Sequence, residues 1–253
     1  MKAILFRLGQ YIYVINNWGD MGKEIFVGNI SDIAKKPLIF VGSPNNIAKK
    51  PFIFVGTPSN QAVKVFPSFP DAYQKVEYIM NVNNTEYINA GFKPDSNTRT
   101  IVTLSTDGYF QNGIRLLFGV DETYGIYYQK YSTLRRMYFY YNGTQLTNTN
   151  IADNTVYTID FNRSGGKFYI DDTLVASSTA TFAATASNYN LFRNGGDTCS
   201  LYHFQAWHNN TIIRDMYPCY RKSDIEVGMY DIVNGVFYDN DGSGIFYKGP
   251  DVN

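Results

Sequence analysis

The sequence predicts an all-β protein, a jelly-roll sandwich preceded by a short repeat-containing β-stem. Three observations predict it. Short β-branched and aromatic runs alternate with Gly, Asn and Asp turns along most of the chain, and no window holds a helical period beyond a turn or two. Aromatic residues make up 17% of the chain, with 22 Tyr and 18 Phe, a composition that suits pleated, half-buried surfaces. A phrase near the N-terminus recurs at a strict fourteen-residue period, too short for helical or propeller repeats but long enough for a strand, a tight turn and a second strand.

The chain opens with "MKAILFRLGQYIYVINN". Arg7 and Gln10 interrupt its apolar run and no small-residue cleavage site follows, so it reads as a mature segment rather than a signal peptide. Residues 1–24 are assigned to attachment, with "YIYVI" as a strand. Residues 25–66 are the stem. Phe26-Val27-Gly28, Phe40-Val41-Gly42 and Phe54-Val55-Gly56 keep the period, and Gln61-Ala62-Val63-Lys64-Val65 is a decayed copy. "PLIFVG" and "PFIFVG" are continuous apolar runs, the pattern of strands buried on both faces. About forty residues cannot cover both faces alone, so other copies of the chain must. A homotrimer is favoured, with a dimer as the alternative, and Ile39, Phe40, Val41, Ile53, Phe54 and Val55 are expected to face partner chains.

Two prolines within Phe66-Pro67-Ser68-Phe69-Pro70 close the stem, and residues 67–253 form the head. In order, strands are predicted at residues 100–105, 113–120, 125–129 and 137–141, the last ending in a turn at Asn142-Gly143. Residues 156–162 and 167–170 flank the hairpin loop "RSGG", and Asp171-Asp172 turns the chain into "TLVA". "LYHFQAW" alternates, and "TIIRDMYP" follows Asn209-Asn210. Glycines then punctuate Met229-Tyr230, Val236-Phe237 and Ile245-Phe246, read as short strands closing a sheet edge.

Charge and motif restrict function. The formal net charge is zero and basic residues occur only as isolated pairs, which argues against a nucleic-acid partner. No apolar stretch reaches eighteen residues, so no membrane-spanning helix is predicted. Cys199 and Cys219 are too few for a disulfide scaffold; they read as free thiols, with a bridge left open. Paired carboxylates for glycoside hydrolysis are not evident: Asp121 and Glu122 are adjacent and on a strand would face opposite ways. His203 and His208 are the only histidines; Cys199 and His203 are placed on one strand face, with a half-buried polar group as the plainer reading. No cofactor, no metal site and no catalytic residue are therefore predicted, and the chain is read as not an enzyme. "DNDGSG" at residues 239–244 reads as a type I′-like turn rather than a calcium loop, because no Glu closes it. Asp197, Asp239 and Asp241 are kept as a reserve for calcium at a loop rim. The tyrosines crowded between residues 124 and 141 suit either sheet packing or stacking on sugar rings, and Tyr124, Tyr128 and Tyr131 are the candidate glycan-binding set.

"VYTIDFNRSGGKFYIDDTLVAS" resembles the central hairpin of laminin-G-like and concanavalin A-like jelly rolls. "YQKVEYIMNVNNTEYINAGFKP" and "PCYRKSDIEVGMYDIVNGVFYDNDGSGIFYKGPDV" are similar to the opening and closing segments of a laminin-G-like module that recurs in phage virion proteins and gut-bacterial surface proteins. The resemblance runs from about Tyr73 to the end and leaves out the repeats. Stem and head together resemble the short head fibres of crAss-like gut phages. The resemblance implies a structural fibre on the virion surface, joined to other virion proteins through its N-terminus, with a head suited to host or gut glycans. A tail-fibre adhesin is the nearest alternative, a secreted carbohydrate-binding module comes third, and a polysaccharide hydrolase on the same fold is the alternative from another class.

Overall fold

The computed structural model describes residues 3–8, 11–17, 23–29, 53–56, 62–65, 69–82, 85–106, 113–193 and 198–252. The chain divides into two units, Met1–Ser68 and Phe69–Asn253. Every described element is a strand.

In the first unit β1 (Ala3–Leu8), β2 (Tyr11–Asn17) and β3 (Lys23–Asn29) form an antiparallel sheet, and β4 (Ile53–Gly56) pairs with β5 (Ala62–Val65). The boundary drawn between residues 24 and 25 falls inside β3, which pairs with β2 along its length. The third repeat copy forms β4, and the decayed copy is its return strand, with Phe54 opposite Lys64. Ile39, Phe40 and Val41 lie outside the described residues.

The second unit is a sandwich of two antiparallel sheets. Its strands are β6 (Tyr73–Lys75), β7 (Ile79–Asn81), β8 (Ile88–Asn89), β9 (Thr98–Thr106), β10 (Gly113–Gly119), β11 (Tyr124–Tyr131), β12 (Leu134–Tyr141), β13 (Thr144–Asn150) and β14 (Tyr157–Arg163). They continue as β15 (Lys167–Ile170), β16 (Thr173–Ser177), β17 (Asn190–Leu191), β18 (Cys199–His208), β19 (Thr211–Arg221), β20 (Glu226–Asp231), β21 (Val236–Tyr238) and β22 (Tyr247–Lys248). The smaller sheet has the order β13-β12-β11-β10-β17-β8. The larger follows β16-β15-β14-β9-β18-β19-β20-β21, with β6 on β19, β7 on β18 and β22 on β7.

Strict alternation makes the layers. Along β9 every second residue is buried, so Thr100, Val102 and Leu104 face inward and Arg99, Ile101 and Thr103 face out. Aromatic rings bridge the two sheets: Phe161 of β14 lies 4.6 Å from Tyr124 of β11 and 5.6 Å from Phe139 of β12. Full burial of each such side chain is worth roughly 1.5–3 kcal/mol, and eleven buried aromatic residues belong to this core.

Three local expectations change. Ile245-Phe246 precedes the last strand instead of forming it; Phe246 is buried and Ile245 exposed. The segment at 239–244 is not a type I′ turn, since none of its residues takes the left-handed conformation that turn needs. Asn240 shapes it instead, its Oδ1 accepting from the Tyr87 and Gly242 N–H groups. β13, "TQLTNTN", is a strand with no apolar alternation to announce it, made possible by its position at a sheet edge.

Candidate functional site

Antiparallel pairing of β9 with β14 and with β18 brings the first residues of β9 beside the last residues of the other two. Three connections therefore meet at one end of the larger sheet, and a cleft of about 390 Å³ opens among them. The turn before β9 contributes Ser96 and Asn97, with Arg99 from the strand itself. The β14–β15 hairpin contributes Asn162, Ser164 and Gly165, and the β18–β19 hairpin contributes Trp207, Asn209 and Asn210.

Each wall is held from behind. Arg99 donates Nε to Asp160 Oδ1 at 2.7 Å and Nη2 to Asp160 Oδ2 at 2.6 Å. Asp160 is buried, and Arg163 Nε reaches its Oδ2 as well. Arg163 in turn donates Nη2 to Asp172 at 2.6 Å. The Arg99 guanidinium lies 4.9 Å from the ring centre of Trp207, in cation–π range. Buried Asn162 donates Nδ2 to the Ser96 and Thr98 carbonyls at 3.0 and 2.6 Å, while its Oδ1 accepts from the Gly166 N–H. That one amide ties the turn before β9 to the β14–β15 hairpin.

His208 ties the third wall. Its Nε2 lies 3.1 Å from Asp95 Oδ2, and its Nδ1 lies 3.3 Å from Asn209 Nδ2. Both ring nitrogens are thus engaged, one by a carboxylate and one by an amide. Burial tends to raise the Asp95 carboxyl, but the bonds from His208, the Asn97 N–H and Thr98 outweigh it and hold the group below the ordinary carboxylate range.

The tyrosines are sorted by strand parity. Tyr124 and Tyr128 face the core, at 1% and 0% exposure, and give their hydroxyls to Thr98 O and Asp153 Oδ1. Burial raises both well above the ordinary phenol range. They have no face to offer a sugar, which corrects the set proposed from sequence. Tyr131, 66% exposed, is the one member that reaches solvent. On the outer face of the smaller sheet Tyr127 and Tyr140 pack with ring centres 4.8 Å apart, and Tyr140 donates to Gln145 at 3.0 Å. Burial first, then the charges of Glu122 and Asp121, pushes Tyr127 up to about 12.

Cys199 and His203 do not share a face. A bulge between Leu201 and His203 shifts the register by one residue, so Cys199 turns into the core while His203 faces out. His203 Nε2 meets buried Asp215 at 2.7 Å and its ring packs at a tilt against Tyr217, centres 4.5 Å apart. Cys199 and Cys219 are both buried free thiols. Asp197 lies outside the described residues, and among those described no three His, Cys, Asp or Glu side chains gather as metal ligands.

None of the nine cleft residues was singled out as a binding residue from sequence. One signal was present: Trp207, one of two tryptophans, stands at the end of an alternating strand immediately before His208-Asn209-Asn210.

No family model matches the chain, and no curated protein matches it. Among solved structures it is similar to a proposed carbohydrate-binding protein from Bacteroides ovatus ATCC 8483, at 11% sequence identity and a TM-score of 0.48. The likeness covers 71% of this chain and 62% of that one, so the chain spans under two thirds of its neighbour's length.

Proposed function

We propose that the chain is a fibre subunit of a virion surface, whose β-sandwich head binds glycan in the cleft and whose repeat-bearing N-terminal unit assembles copies of the chain. The composition of the cleft carries the binding reading. It combines an indole, a guanidinium, amides and hydroxyls, the groups that stack on a sugar ring and bond its hydroxyls, and Arg99 is the one ionisable residue in its lining. Glycoside hydrolysis needs two carboxyl groups flanking the scissile bond, and the lining offers none. We therefore read the head as a binding module. The fibre reading is supported by the fourteen-residue repeat and by the resemblance of the opening and closing head segments to virion modules.

Substituting Trp207→Ala tests the binding reading. Retention on a glycan array is expected to fall by about tenfold or more with the melting temperature little changed, since the indole is only half-buried. Retention unchanged by this substitution would place the sugar elsewhere. Reducing-end release from any arrayed polysaccharide would show an enzyme instead. Antibody labelling of intact particles distinguishes a capsid fibre from a tail fibre.

A further inference from the structure

We infer that the cleft selects sugars bearing a carboxylate, an inference that rests on the glycan-binding reading above. Arg99 carries five N–H donors in a planar fork. Two of these donors, Nε and one N–H of Nη2 along a single edge, are committed to Asp160. Among the described residues Nη1 accepts no such duty, and its two N–H groups remain for a ligand. The indole N–H of Trp207 is unspent in the same sense.

The one charged side chain that lines the cleft is a cation. Asp160, the carboxylate on Arg99, is shared with Arg163, so one negative charge answers two guanidiniums. Asp172 balances Arg163 from an exposed position on the far side of that chain of pairs. Asp95, the carboxylate of the turn before β9, is engaged by His208, Thr98 and the Asn97 N–H. No carboxylate lines the cleft to repel an acidic ligand. A neutral sugar would leave the Nη1 edge answered by hydroxyls alone, whereas a carboxylate forms a charge-assisted pair with it. The amides of Asn97 and Asn210, from two adjoining walls, suit the ring hydroxyls of either sugar.

The test uses the full chain and matched ligands that differ only in charge: methyl glucuronide against methyl glucoside, methyl galacturonide against methyl galactoside, and N-acetylneuraminic acid against its methyl ester. The readout is the indole N–H resonance of Trp207, assigned by its loss in Trp207→Phe. At least one acid is expected to bind about tenfold tighter than its neutral partner, with the preference reduced by added salt. Arg99→Lys keeps the charge but loses the planar fork, and is expected to erase most of the preference. Equal binding within every pair overturns the inference and leaves the glycan reading standing. Perturbation of Trp207 by none of the six ligands overturns both. A preference that survives intact in folded Arg99→Lys also overturns the inference; should that variant fail to fold, the wild-type pairs still decide.

Discussion

Tyr127 and Tyr128 are neighbours in the chain and enemies in environment: one looks out from the smaller sheet, the other is sealed in the core. A period of two makes this arithmetic, since Tyr124 and Tyr128 share a parity that Tyr131 does not. The set proposed from sequence thus mixed two faces, and the alternation of "YGIYYQKY" was enough to separate them. Their burial has a pH consequence. An unfolded tyrosine ionises near 10, but burial pushes Tyr127 and Tyr141 up to about 12 and Tyr124, Tyr128 and Tyr189 higher than the ordinary range. Burial likewise pushes the Cys219 thiol up to about 12. Each group holds its proton more tightly folded than unfolded. The stability it contributes is therefore fully present below its unfolded pKa, near 9 for the thiol and 10 for the phenols, and is lost as pH rises through the folded value. Denaturant midpoints are expected to be insensitive to these groups below pH 9 and to fall steeply between about 10 and 12. Tyrosinate absorbance should appear with unfolding rather than before it. A midpoint that stays level to pH 12 would show these side chains to be in contact with water.

Hairpins were the most legible elements. "VYTIDFNRSGGKFYI" declares two strands and a loop, and the structure has Tyr157–Arg163, Lys167–Ile170 and a loop with Ser164, Gly165 and Gly166 at positive φ. Where strands escaped notice, their signal was carried by pairing rather than by side chains: β13 is polar at an edge, and β8 and β17 are two residues each, β17 pairing with the longer β10 and β8 pairing with β17. Two hairpin glycines separate backbone preference from crowding. Gly143 takes φ +75 and a Cβ there would meet nothing within 4 Å. Gly166 takes φ +84, and a Cβ there would sit 1.9 Å from the Ser178 carbonyl oxygen. Gly143→Ala is expected to cost about 1 kcal/mol, the penalty of the left-handed conformation. Gly166→Ala adds a backbone collision and is expected to cost about 2–4 kcal/mol. Urea unfolding of the two variants measures both. Equal losses would mean that the chain just after β16 yields freely at Ser178.

At the scale of the molecule, the cleft was illegible because it belongs to no segment. Arg99, Asn162 and Trp207 stand far apart in the chain, and only the order β14-β9-β18 brings them together. Periodicity predicts strands but not which strands adjoin, whereas a change in composition near Phe66-Pro67-Ser68-Phe69-Pro70 shows directly in the sequence. The chain divides into two compact units between Ser68 and Phe69. Among the described residues the core of the second unit is drawn from Val76 onward, and removing residues 1–68 is expected to leave a folded, monomeric sandwich. The repeats argue for assembly in the part removed. Ile39, Phe40, Val41, Ile53, Phe54 and Val55 form apolar runs whose burial would be worth roughly 1.5–3 kcal/mol per side chain, against an association cost of about 4–15 kcal/mol. Six residues on each of three chains exceed that cost comfortably; two chains cover a flat ribbon less completely. The full chain is therefore expected to run as a trimer in light scattering, and Phe54→Asp to dissociate it by placing an unpaired charge where burial costs several kcal/mol. The melting transition of the head should be the same in the trimer, in the Phe54→Asp monomer and in the truncated chain. A full chain that is monomeric at micromolar concentration, or a truncated head that still trimerises, would move the interface out of the repeats and into the sandwich.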